Sequence, residues 1–244
     1  LKHKEKGIDF RVYIADDGPI SKKKEELYDD LESKGHIVID LPYNTGASRS
    51  RNLLLEELQG EKYVLRLDDD FELTEETNIS AMKKILESKE NLGAVADLER
   101  QIGTGKGCFS GEISRWQGFL RFEDDILIKE LVPLGKFEYS NLDNLDYAKC
   151  DFSRNMLLIK TELFDNINWD NSLKFGGEHL DFLLQLKESG WDLAFTPNSI
   201  HQHRDDITKI SKKQDYGELR SEHNNTFPLA KDKWGIKKVI RKRP

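Results

Sequence analysis

From Phe10 to about Asp97 the chain alternates short β-branched or aromatic runs with charged, amphipathic stretches. No other feature narrows the folds open to it as much. "FRVYIA" (Phe10 to Ala15) ends at "DDGP", a turn signal. "SKKKEELYDDLESKG" follows, with Ser21 placed as an N-cap and a glycine stop, which predicts a helix. "HIVIDL" reads as a strand and "SRSRNLLLEELQG" as the next helix. "KYVLRL" is a strand closing on three aspartates, "TNISAMKKILESKENLG" a helix and "AVAD" a short strand. Such alternation predicts an α/β fold, a mostly parallel sheet flanked by helices. Ligands of these sheets sit at the carboxyl ends of strands, and both "ADDG" and "LDDD" occupy such ends.

Beyond Gly103 the pattern changes. "GTGKG" lacks the spacing of a phosphate loop and reads as a turn. "SRWQGFLRFEDDILIKELVPLGKFEYSNL" is strand and hairpin material, an antiparallel insertion suited to the acceptor side of an enzyme. "SRNMLLIKTELFDNI" predicts a buried strand and a short helix. "GGEHLDFLLQLKESG" predicts an amphipathic helix, and "DLAFTPNSIHQHRDD" a final strand ending in a histidine-rich turn. The expected organisation is one domain over residues 1–244. Its nucleotide-binding half spans about 8–100, its acceptor and catalytic half about 101–210, and a basic tail 211–244.

The side chains suited to chemistry fall into five groups. Asp68, Asp69 and Asp70 end an apolar strand, where a Mg²⁺ or Mn²⁺ ion would offset their repulsion and leave room for substrate phosphates. The bland alternative is a solvated acidic turn. Asp16 and Asp17 either cap a turn or accept hydrogen bonds from a base or ribose. Asn44, Gly46, Arg49, Arg51 and Asn52 lie where a strand meets a helix, and arginine there opposes the helix dipole unless an anion is bound. Glu178 and Asp181 share one face of a helix start, a place for a general base, with His179 between them. His201 and His203 are expected on opposite faces of the strand end, so that only one reaches the aspartates.

The totals bound the remaining choices. With 38 basic and 45 acidic residues the net charge is −7, which argues against a nucleic-acid binder. Two distant cysteines, Cys108 and Cys150, suit a reducing, cytoplasmic setting, and no run of apolar residues is long enough to span a membrane. The basic tail is suited to an anionic membrane surface; its plainer reading is a solvated terminus, and a Golgi-luminal fragment is the alternative placement.

"IADDG", then Asn44 to Asn52 as N-x-G-x-x-x-x-R-N, then "YVLRLDDDF", then "GGEHLDF" together resemble a family 2-type, nucleotide-sugar-dependent glycosyltransferase of the GT-A fold. Within that family the blocks are most similar to ganglioside-type β-1,4-N-acetylgalactosaminyltransferases, over about residues 10–205. The resemblance implies that Asp17 and Asp16 contact the uracil of a UDP-sugar and that Arg51, with Arg49, lies near the nucleotide. It makes Asp68 and Asp70 the Asp-x-Asp motif, with Asp70 the direct ligand of Mn²⁺ or Mg²⁺ and Asp69 flanking it. His203, or else His201, is the downstream metal-binding histidine, and Asp151 and Asn155 of "CDFSRNMLL" face the donor sugar. Many inverting relatives carry a Glu-Asp pair where this chain has Glu178 and His179; ganglioside-type enzymes keep that histidine and place an acid at the position of Asp181. The strand that usually opens the family is absent from this sequence, so the sequence starts within a longer chain or part of the pocket comes from elsewhere.

The function expected from these residues is metal-dependent, inverting transfer of a sugar, such as an N-acetylhexosamine, from a UDP-sugar to a hydroxyl of a glycan, glycolipid or polysaccharide. Rival readings are a retaining transferase, a nucleotidyltransferase, and a non-catalytic sugar- or nucleotide-binding protein of the same fold. A metal-dependent phosphohydrolase would need the acids and histidines in another order along the strands.

Overall fold

The computed structural model describes residues 8–103, 110–114, 116–204 and 225–243. Cys108, most of "GTGKG" and residues 211–224 of the expected tail lie outside the described residues. The first strands and helices follow the alternation: β1 (Tyr13–Asp16), α1 (Lys22–Ser33), β2 (Ile37–Asp40), α2 (Ala47–Glu56) and β3 (Tyr63–Arg66). After the aspartates come β4 (Phe71–Leu73), α3 (Ile79–Glu87) and β5 (Leu92–Ile102). Ser21 caps α1 by accepting from the Lys24 amide at 3.4 Å, and Asn78 caps α3 by accepting from Ala81 at 2.9 Å. Both caps satisfy amides that the first helical turn leaves without partners. Ala81, Met82, Ile85 and Leu86 form the buried face of α3.

The second half supplies β6 (Gly118–Glu123), β7 (Ile126–Leu131), β8 (Ser140–Leu142), β9 (Leu145–Cys150), β10 (Leu157–Lys160), α4 (Glu178–Glu188) and β11 (Asp192–Arg204). α5 (Phe227–Lys233) and β12 (Lys238–Lys242) complete the described chain. β6 and β7 form the expected antiparallel hairpin, and β12 joins it in parallel beside β7. The described part of the basic tail is therefore folded, with Ala230 and Ile236 buried.

The α/β class holds: a central sheet is flanked by helices. Strand directions are more mixed than the alternation suggested. β1 and β2 are parallel. In the main sheet, ordered β3-β10-β5-β11-β9-β8 with β4 beside β11, only β5 and β11 run parallel. The reason is that strand–helix–strand spacing constrains only strands joined in succession, whereas β9 and β10 arrive later and insert antiparallel. β4 was not foreseen. It folds back onto β11 and pairs Phe71 with His203 and Leu73 with His201.

Two apolar clusters hold the sheet. One contains Ala94, Ala96, Trp169, Phe182, Leu184 and Phe195. The other contains Met82, Ile85, Leu86, Val95 and Met156 on the side of α3. Each fully buried large side chain among them contributes about 2 kcal/mol. This core fixes β3, β5, β11 and the start of α4, the elements that carry the candidate site.

Candidate active site

The acidic end of β1 is organised by its neighbours. Asp16 accepts from Lys24 Nζ and from Tyr28 Oη, both at 2.6 Å, and from the Gly18 amide at 2.9 Å. Burial raises its pKa, but Lys24 and Tyr28 outweigh it and hold the carboxyl below the usual range. The Tyr28 phenol is pushed up by burial and Asp16, with smaller contributions from Asp40 and Asp69. Asp69, though exposed, thus lies near the α1 side of the site. Asp17 accepts from the Gly46 amide at 2.9 Å, which joins the first strand end to the start of α2. The turn is tight: Asn44 has φ 61° and Gly46 φ 91°. The Oδ1 of Asn44 is buried without a partner among the described residues.

α2 is seated on the segment before α4. Asn52 bonds both backbone groups of Trp169, and Ser48 donates to the Leu173 carbonyl at 2.6 Å. This seating aims Arg51 inward, over the Trp169 ring at 4.5 Å and 3.2 Å from Asp68 Oδ1. Arg49, in contrast, is exposed. Asp68 also accepts from Asn155 Nδ2 at 2.9 Å. Burial opposes ionisation of Asp68, but Arg66 and Arg51 hold its carboxyl down to about 2.

Arg66, at the end of β3, was not among the residues expected from sequence. It donates to the Asn155 carbonyl and to His179 Nδ1 at 3.1 Å. Burial, and then Arg51, lower its pKa to about 9. The same surroundings keep the His179 ring neutral, its pKa lowered by burial and by Arg66 and Arg51. Nδ1 accepts from Arg66, while Nε2 meets the Asn155 side-chain amide at 3.0 Å and lies 3.3 Å from Glu178 Oε1. Trp169 is the floor of this group; it stacks on Phe182 at 4.3 Å.

The third aspartate works with the last strand. Asp70 Oδ2 lies 3.1 Å from His203 Nε2, and His203 Nδ1 lies 3.5 Å from Glu99. Asp70 and Glu99 push the His203 pKa up to about 10, and a cation bound at Nε2 would take the place of the proton held there. His201 is fully buried, with Nδ1 2.7 Å from Asp97 and Nε2 3.8 Å from Glu99. Both histidines therefore point to one side, against the expectation of opposite faces. Residues two apart on a strand share a face. What separates them is depth: His201 is sealed in the core, while His203 stands at the rim beside Asp70.

The donor set suits a hard divalent cation. Among the described residues no three His, Cys, Asp or Glu side chains are preassembled as a closed cage. Ions that keep waters and substrate phosphates need only one or two protein ligands. Asp70 and His203 offer a carboxylate and an imidazole nitrogen side by side. Glu99 is placed to accept from the other ring nitrogen, as the partner of a metal-binding histidine should.

Glu178 and Asp181 lie in different surroundings. Glu178 is buried beside His179, and its Oε2 has no partner among the described residues. Asp181 accepts from Trp234 Nε1 at 2.8 Å, Lys233 Nζ at 2.9 Å and Gln185 Nε2 at 2.7 Å. Asp151 accepts from Lys187 Nζ and from the Leu120 amide at 2.8 Å. Lys187 lies nine residues beyond Glu178, so its backbone is roughly 13 Å further along α4. Thus Asp68, Asn155, His179, Arg51 and Glu178 come together and Asp70 pairs with His203, while Asp151 and Asp181 are engaged with other partners.

Besides Arg66, sequence reasoning missed Asp97, Glu99 and Trp169. Asp97, Glu99 and Gln101 recur at every second position of a strand and are all buried, a period-two polar pattern that "AVADLERQ" does display. Trp169 and Arg66 carry no local signal, since an apolar ring and a strand arginine are common in any sheet protein.

A family model described as glycosyl transferase family 2 matches residues 1–165. No curated protein sequence matches the chain. Among solved structures it is similar to GalNAc-T7 with UDP, GalNAc and Mn²⁺, at 16% identity and a TM-score of 0.57, over 79% of this chain and 37% of that one. It is also similar to S. aureus TarS, at 16% identity and a TM-score of 0.53, over 87% of this chain and 35% of that one. The chain thus spans little more than a third of either structure, and at this identity the likeness concerns the fold. The family model covers more than half of the chain, and with the fold and the strand-end residues it identifies the chain as a glycosyltransferase of the GT-A fold that belongs to glycosyl transferase family 2.

Proposed function

We propose that the chain transfers a sugar from a UDP-sugar to a hydroxyl of a glycan, glycolipid or polysaccharide acceptor, with inversion and with Mn²⁺ or Mg²⁺. The observation that carries this reading is the Asp70–His203 pair backed by Glu99, two residues along the chain from Asp68, which meets Asn155 and through it His179. Asp70 and His203 would hold the cation, which when bound neutralises charge on the leaving diphosphate. Asp17 and the unpartnered Asn44 Oδ1 would receive donors of the nucleoside. Arg51 and Arg66 keep Asp68 ionised, so that it can accept from a ribose or sugar hydroxyl.

Glu178 is the base in this reading. Its free Oε2 takes the proton of the acceptor hydroxyl. The acceptor oxygen then bonds to the anomeric carbon from the face opposite UDP, and the bond from that carbon to the diphosphate oxygen breaks. UDP leaves, and the proton remains on Glu178 until water removes it. His179, held by Arg66 and Asn155, lies 3.3 Å from Glu178 Oε1 and would fix its position. GalNAc-T7 was crystallised with UDP, GalNAc and Mn²⁺, which supports the donor class.

The test is a thermal-shift series of UDP-, GDP- and dTDP-sugars with and without Mn²⁺. A metal-dependent shift specific to uridine is expected, and Asp70→Ala should abolish it. Equal shifts for all three bases, or metal-independent UDP binding, would overturn the assignment. The anomeric configuration of the product separates inversion from retention.

A further inference from the structure

Trp116 sits at the centre of three cations. Arg241 of β12 lies over its ring at 4.9 Å, Arg154 at 5.4 Å and Lys129 of β7 at 5.4 Å. Lys129 also lies over Phe152 at 4.9 Å, and Phe152 meets Trp116 edge-on at 6.4 Å. Lys129 and Arg241 are direct partners in the parallel ladder, a position where like charges oppose pairing. The described residues place no carboxylate within ion-pair distance of either of them. Only Arg154 has one, Glu99 at 3.2 Å. Trp116 is half-buried and Arg241 exposed, so the group is open to a ligand.

The group adjoins the candidate active site. Arg154 precedes Asn155, and its partner Glu99 is the carboxylate beside His203. The charge of Lys129 acts on His179. The residues assigned to the nucleoside, Asp17 and Asn44, come instead from the β1–α2 side. An aromatic face flanked by unneutralised cations is suited to a sugar ring bearing an oxyanion.

We propose that Trp116, Lys129, Arg154 and Arg241 form an acceptor subsite for an oxyanion-bearing saccharide, its phosphate or carboxylate held by the cations and its ring against the indole. This rests on the reading of the chain as a UDP-sugar transferase, and the anion in question belongs to the acceptor, not to the donor diphosphate. Burial, and then Arg241, lower the Lys129 pKa to about 8, as expected of a cation crowded by another and lacking a counter-ion.

The test titrates the whole chain with glucose 6-phosphate, glucuronate and glucose, each with and without saturating UDP and Mn²⁺, followed by calorimetry. One or both anions should bind with UDP present, and glucose should not bind over the same range; the stronger arm shows whether phosphate or carboxylate is preferred. Arg241→Ala and Lys129→Met should each weaken the anion about tenfold, the loss of one charge-assisted hydrogen bond, and leave UDP affinity within about twofold. Lys129→Met keeps an apolar stem against Phe152 should charge removal at Arg241 perturb β12. Binding of glucose as tight as that of the anions, or anion binding unchanged in both variants, would overturn the subsite. A parallel loss of UDP binding would assign the cations to the donor and also overturn it. Absence of UDP binding in the unmodified chain is scored separately, against the transferase reading.

Discussion

Replacing Asp181 by asparagine separates an anchoring role from a catalytic one. The carboxylate is fully buried and receives three donors, from Trp234, Lys233 and Gln185. An amide keeps the volume but removes the charge, and it sets an N–H₂ group against at least one of those donors. The lost charge-assisted bond and the mismatched neutral one sum to about 2–3 kcal/mol, with the Lys233 share kept small because that side chain is partly exposed. For a chain of this size that corresponds to a fall in Tm of roughly 5–10 °C. The assay is thermal unfolding followed by near-UV circular dichroism, alongside transfer or UDP-sugar hydrolysis measured well below Tm. Asp181→Asn should lose stability and keep activity within about tenfold of the parent, because its partners hold α5 against α4 and not a substrate. Glu178→Gln should do the opposite, lowering kcat by about 10²–10⁴-fold with little change in Tm. An Asp181→Asn protein with unchanged Tm and no activity would refute the anchoring argument and make Asp181 the base.

Three further outcomes are expected. Lys24 and Tyr28 hold the Asp16 carboxyl below its ordinary pKa, so its contribution is present above the unfolded carboxylate range and is lost as pH falls through the lower folded value. Asp16→Asn should cost about 1–2 kcal/mol at neutral pH and flatten the acid side of a stability–pH curve; an unchanged acid limb would refute this. A Cβ on Gly118 would lie 1.9 Å from the Glu130 carbonyl oxygen and 2.8 Å from Phe152. Gly118→Ala should therefore destabilise by about 3 kcal/mol or more in chemical denaturation, and a near-neutral value would show that β6 and β7 pair differently. Lys129 is faced by Arg241 from β12, by Arg154 from the segment after β9 and by His179 from α4. It carries its charge below about 8 and loses it above, so affinity for an anionic saccharide should decline as pH rises through that value. Lys129→Arg should remove the decline, and a persistent decline would place the titrating group elsewhere.

Sequence and tertiary structure divide the account along physical lines. Local pattern sufficed for β1, α1, β2, α2 and β3, for the cap at Ser21, and for the acidic strand ends. Those features depend on periodicity and on backbone groups a few residues away, which neighbouring side chains dictate. The same reasoning erred on His201 and His203 only in the strand geometry, and the two-residue repeat was there to correct it.

What the sequence by itself determined is a mixed α/β chain whose strands end in carboxylates, together with the residues from which a nucleotide-sugar site could be built. Only the tertiary structure decided which of them meet. Asp68 joins Asn155 across 87 residues and Asp70 joins His203 across 133, separations at which no local pattern has a say. Asp181 was bound to Trp234 and Asp151 to Lys187 by how α4 docks, and Arg66 and Trp169 entered the site because α2 and β3 close on the same floor. A charge's partner is set by packing in three dimensions, and in a site of paired charges the partner decides the chemistry.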